Sequence, residues 1–138
     1  MLKKLPNGVE LHGDGAAVAA IVASADYPEV TGEAVAAADA AERLALVKAE
    51  CRHRIYAIAS QEAQTNVATA LGVALVTAII DRTDEEKATI AAARAGLAWV
   101  KAMRETVPLL AADPAVDFRA DDEWPACPPA AAAVYSSF

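Results

Sequence analysis

The chain has 138 residues, 37 of them alanine, with a formal net charge of −7 and a sequence pI near 4.7. A chain of this length suits one domain, or one domain with appendages, and buries enough surface to fold without a metal or a disulfide. The acidic balance excludes general attachment to nucleic acid or to an anionic membrane, because both need basic stripes.

Residues 1–14 read as an extended arm. Pro6-Asn7-Gly8 is a turn signal, and Val9-Glu10-Leu11-His12 alternates apolar and polar as a short strand does. Met1-Leu2-Lys3-Lys4 is basic, but Pro6 and Asn7 follow at once, so no apolar signal-peptide core is expected. Asp14 is placed to cap a short helix over 15–24. Pro28 closes it, since the residue before proline is pushed out of the helical region.

Thr31 or Gly32 opens the main helix, with Glu33 suited to the first turn. Leu44, Val47, Cys51, Ile55 and Ile58 recur at the spacing of one helical face. Asp39 with Arg43 and Glu50 with Arg54 are acid-before-base pairs four apart. The densest basic stretch, 48–54, fans around the helix axis and predicts no single patch. The run 60–66 (Ser-Gln-Glu-Ala-Gln-Thr-Asn) is polar nearly all round. It reads as an exposed stretch or as a helix whose amides bond a neighbour. Apolar character returns at Val67, Leu71, Leu75, Val76, Ile79 and Ile80.

Thr83-Asp84-Glu85-Glu86 is a capping box, the most specific local signal in the chain. The helix that it opens carries a stripe of Ile90, Leu97, Val100, Arg104 and Val107, with Ala93 and Met103 beside it. Pro108 is expected to end or kink this helix near Val107. From Asp113 the composition turns acidic and proline-rich. Pro129 suits the first position of a last helix with Val134, Tyr135 and Phe138 on its apolar face.

These elements predict an all-α fold: an antiparallel hairpin of two long helices, 33–80 and 84–107. A short N-terminal helix, an extended N-terminal arm and a Pro-rich C-terminal segment accompany it. The expected segments are an arm at 1–14, a helical domain at 15–112 and a docking segment at 113–138. Large apolar residues are few, so the core is thin, and oligomerisation or docking is favoured over solitary life.

Reactive residues are scattered. Cys51 and His53 lie two apart, which sets them about 200° apart on a helix, so no Cys–His pair is expected. The acids Asp117, Asp121, Asp122 and Glu123 lack the glycine and spacing of a calcium loop. No phosphate-binding loop is present in the sequence. Trp99 and Trp124 read as core fillers, with Trp99 against the 44–58 half of the first long helix. No catalytic residue, metal or cofactor is expected, and the apolar runs are too short to span a bilayer.

Three stretches carry a resemblance. They are Arg52-His53-Arg54-Ile55-Tyr56-Ala57-Ile58-Ala59-Ser60 with Ala63-Gln64-Thr65-Asn66 following; the run 94–104 (Arg-Ala-Gly-Leu-Ala-Trp-Val-Lys-Ala-Met-Arg); and Asp121-Asp122-Glu123-Trp124-Pro125 with an alanine-rich end and Phe138. Together they resemble small alanine-rich phage and prophage proteins of alphaproteobacteria, encoded near tail-fibre and baseplate genes and in part tail-fibre-assembly-like. The resemblance covers roughly residues 45–138 and brings no catalytic residue. It implies a virion or virion-assembly role, in the tail, with the host cytoplasm as the place of assembly.

The expectation is therefore a non-enzymatic structural or interaction protein of a phage tail, associated with fibre or baseplate. Its partners are other tail proteins and further copies of itself, without nucleic acid or membrane insertion. The alternative is a tail-fibre assembly chaperone absent from the mature virion. Partner contacts are expected at the two ends, through Leu5, Val9 and Leu11, and through Phe118, Trp124, Tyr135 and Phe138. The competing outcome is that both tails fold back onto their own hairpin.

Overall fold

The structure is a computed structural model and describes residues 2–24 and 26–138. It is 69% helical, with five helices and a small two-stranded sheet, an all-α fold with a helical hairpin. In chain order the elements are β1 (Leu2–Lys4), β2 (Glu10–His12), α1 (Gly15–Val22), α2 (Gly32–Ile58), α3 (Gln61–Val76), α4 (Asp84–Ala112) and α5 (Pro129–Ser136). Short 3-10 turns stand at Ile79–Asp81 and Asp121–Glu123. The chain divides into two compact units, Met1–Leu46 and Val47–Phe138, and α2 begins in the first and ends in the second. The composition shifts near residues 14 and 113 fall inside these units.

In the first unit the arm closes on itself. β1 and β2 pair antiparallel, with Lys3 opposite Leu11. The Leu5 amide donates to the Val9 carbonyl at 2.7 Å, and Gly8, at φ +88°, turns the chain between them. The Asn7 side chain accepts from the Val9 amide at 3.1 Å and holds the loop. Asp14 caps α1 by accepting from the Ala17 amide at 2.9 Å, and Thr31 caps α2 by accepting from Ala34 at 3.1 Å. Leu5, Leu11, Val18, Val30 and Ala38 form the core, flanked by Val9, Ile21, Val22, Ala34 and Val35. Each buried Leu or Val contributes roughly 1.5–3 kcal/mol, so this small cluster is what orders the arm. Lys3, itself buried, pairs with the half-exposed Asp39 of α2.

In the second unit the long helix expected over 33–80 is two helices. The break falls at Ala59-Ser60, where Ser60 accepts from the Ala63 amide at 3.0 Å and starts α3. Gln64 donates to the Ala59 carbonyl at 2.8 Å, satisfying an acceptor left free at the end of α2. The polar run 60–66 is thus the capping chemistry of a new helix. The buried face of α2 runs Val47, Cys51, Ile55 and continues into Ala59 at steps of four, and Ile58, expected on it, is exposed.

α3 and α4 form the hairpin, and α5 packs on both. The capping box of Thr83 and Glu86 opens α4 as the sequence predicts, with mutual bonds of 3.1 and 2.8 Å. α4 does not stop at Val107; it continues through Pro108 to Ala112. Val107 and Leu110 are both buried, and seating them offsets the ~3 kcal/mol that an interior proline costs. The buried stripe of α4 is Ile90, Ala93, Gly96, Trp99, Val100, Met103, Val107 and Leu110. Leu97, expected on it, is 53% exposed, because Gly96 takes that place and lets the Tyr135 ring lie against the helix backbone.

Candidate interaction surface

The seven residues expected to meet a partner are distributed unevenly. Leu5 and Leu11 are buried in the first unit and Val9 is half-buried beside them. In the second unit Phe118, Trp124 and Tyr135 are buried, while Phe138 is 53% exposed. The structure thus buries Phe118, Trp124 and Tyr135 and leaves Phe138 half-exposed.

Arg54 fastens the C-terminal segment. Its Nε donates to Glu50 at 2.7 Å, its Nη1 to Asp121 at 2.8 Å and its Nη2 to the Arg119 carbonyl at 2.7 Å. Its guanidinium also lies 5.7 Å from the Trp124 ring centre. Burial opposes the charge of Arg54, but the bonds to Asp121 and Glu50 outweigh it and raise its pKa above the ordinary arginine value. Trp124 Nε1 donates to the Phe118 carbonyl at 2.7 Å, and Trp99 Nε1 to the Pro125 carbonyl at 2.9 Å. Both indoles are core fillers with satisfied N–H groups; for Trp99 this is the expectation, and for Trp124 it is the competing outcome to a partner contact.

An apolar surface that the sequence reading did not single out lies at the α3–α4 connection. Val73 is 68% exposed, Val76 86%, Ile79 75% and Ile80 91%. The connection is braced: Arg82 Nε donates to the Thr77 carbonyl at 3.0 Å, and the Asp81 amide donates to Ala78 at 2.9 Å. Four large aliphatic groups therefore stand in water at the end of α3 and on the hydrogen-bonded turn that follows it. The signal was present in the apolar run 71–80, in which Ala74 alone is buried. A helix end this apolar on every side cannot face one core.

A groove of about 360 Å³ opens beside α2 and α4 within the second unit. Lys48, Arg52 and Tyr56 follow at intervals of four and share one stripe of α2. Cys51 and Ile55 form the floor, and α4 supplies Arg104 and Val107. The basic run 48–54 fans around the helix as expected, with His53 and Arg54 on a different side from Lys48 and Arg52. Lys48 and Arg52 stack along the helix, and α4 adds a third cation, while Arg54 points to the C-terminal segment. Burial raises the pKa of the Cys51 thiol, with Arg104 opposing.

Among the described residues no three His, Cys, Asp or Glu side chains converge as a metal site would require. Among them, too, no helix is long and apolar enough to cross a membrane. No protein-family model matches the chain, and no curated protein matches it in sequence.

Proposed function

We propose that the chain is a non-enzymatic interaction protein that assembles with other proteins through the α3–α4 turn, in the tail of a bacteriophage. The observation behind the first half is the braced turn with Val73, Val76, Ile79 and Ile80 exposed. Exposed aliphatic residues held rigidly lose little entropy when a partner covers them, and each contributes roughly 1.5–3 kcal/mol when fully desolvated. The phage setting rests on the resemblance of residues 45–138. The partners in this reading are fibre or baseplate proteins, together with further copies of the chain.

The test has two parts. A Val76→Asp, Ile80→Asp variant keeps its helical circular dichroism and loses incorporation into its complex. Mass spectrometry of purified particles then finds the native protein among the tail components. If the protein raises the yield of soluble fibre but is missing from particles, it is an assembly chaperone. If the double variant assembles as the native chain does, the turn is not the interface.

A further inference from the structure

We propose that the groove beside α2 and α4 seats an acidic peptide segment of a partner protein. Carboxylates of that segment lie on Lys48, Arg52 and Arg104, and an apolar side chain lies over Ile55 and Val107. The inference rests on reading the chain as an interaction protein and names the chemistry of a second contact.

Charge is the first argument. The chain carries −7 overall, yet these three cations gather at one groove and no carboxylate of the described residues pairs with them. Lys48 and Arg52, four apart on one helix, repel each other. Arg54 of the same run meets two carboxylates and a carbonyl, so the helix pairs its cations where acids are at hand. An anion entering from outside relieves the unpaired cluster.

Shape is the second. Cys51, Ile55 and Val107 are buried, whereas Lys48, Arg52, Tyr56 and Arg104 are exposed. The result is an apolar floor under a charged, open rim. A small ligand usually sits in a pocket that buries most of its surface. An open groove suits a segment whose outer face belongs to its own protein. A nucleic acid backbone is a poorer match, because three cations do not offset the field of a strongly acidic chain.

The test is fluorescence anisotropy with the full chain and a labelled peptide, acetyl-Glu-Asp-Phe-Glu-Asp-Leu-amide. Its partner probe replaces each Glu by Gln and each Asp by Asn. The acidic peptide binds, the amide peptide binds at least about tenfold more weakly, and rising salt weakens the acidic one. Lys48→Ala, Arg52→Ala and Arg104→Ala each lower affinity about threefold, the scale of an exposed ion pair. Arg52→Glu with Arg104→Glu abolishes binding, and Arg94→Ala, on α4 but away from the groove, changes nothing.

Equal binding of both peptides, salt-independent binding or full binding by the double reversal overturns the proposal. Displacement by inorganic phosphate at an affinity matching the peptide's also overturns it, in favour of a small anion. The Val76→Asp, Ile80→Asp variant separates the two readings. It retains peptide binding if the groove acts as proposed, whatever becomes of assembly through the turn.

Discussion

Gly96 is the tighter of the two glycines in the second unit. A Cβ at this position would lie 2.6 Å from Tyr135 Oη and 2.8 Å from the ring. Gly96→Ala gains up to ~1 kcal/mol of helix propensity but overpacks a buried ring, which costs roughly 1–3 kcal/mol. The ring is buried, so net destabilisation is expected by urea unfolding. Adding Tyr135→Phe removes the nearest atom and recovers part of the loss, a coupling that a double-mutant cycle reads directly. Nothing in the sequence around Gly96 announces this, because the contact joins residues on two different helices.

Burial also sets how the unit responds to alkali. It raises the pKa of Cys51 and Cys127 above 9.0 and that of Tyr135 above 10.0; Arg104 opposes the shift at Cys51, and charge on Cys127 adds to that at Tyr135. All three are neutral when protonated, so the fold disfavours their charged forms. Their contribution is full below pH 9.0 and is lost as pH rises through the raised folded values. Denaturant midpoints measured across the alkaline range should fall from pH 9.0 upward, and Cys51→Ala should flatten the first part of that fall.

Among the elements, the helices with local start signals were legible in the sequence. Asp14, Thr31 and Thr83 each cap a helix with their own side chain, and Pro129 opens α5. The break at Ser60 is not legible in the sequence, although Ser60 is itself a favoured cap residue, because alanine-rich helix on both sides hides an interruption. The end of α4 was misjudged for a different reason. Pro108 is a local stop signal, and Val107 with Leu110 overrides it through contacts that the sequence does not list. Pro108→Ala restores an amide donor to the Arg104 carbonyl and relieves the ring clash. A rise in stability of about 1–3 kcal/mol is expected by thermal melting. An unchanged melting temperature would mean that the proline costs the helix nothing at this position.

On the scale of the whole molecule, the end residues expected to hold a partner are largely buried inside the two units, and a cluster of exposed aliphatic residues lies in the middle of the chain. In the sequence that middle reads as core, since an apolar run reads so until its neighbours are known. The two units are separable by spectroscopy. Both tryptophans, Trp99 and Trp124, belong to the second, and the first has none. Deleting residues 1–12 removes Leu5 and Leu11 from the first core. Helical circular dichroism should then lose an early transition, while the tryptophan fluorescence melt of the second unit stays in place. A shifted fluorescence melt would show that the units unfold as one.

The apolar turn also sets the conditions under which the protein stays in solution. At neutral pH a charge of −7 keeps molecules apart, and Val76, Ile79 and Ile80 meet only water. Near pH 4.7 that repulsion vanishes, and nothing opposes the coalescence of one turn with another. Turbidity should peak there and dissolve again on either side. Ile80→Asp should suppress the peak beyond what its single added charge explains. The window of pH in which the protein is clear is thus a property of a few aliphatic side chains at one helix end and the turn after it.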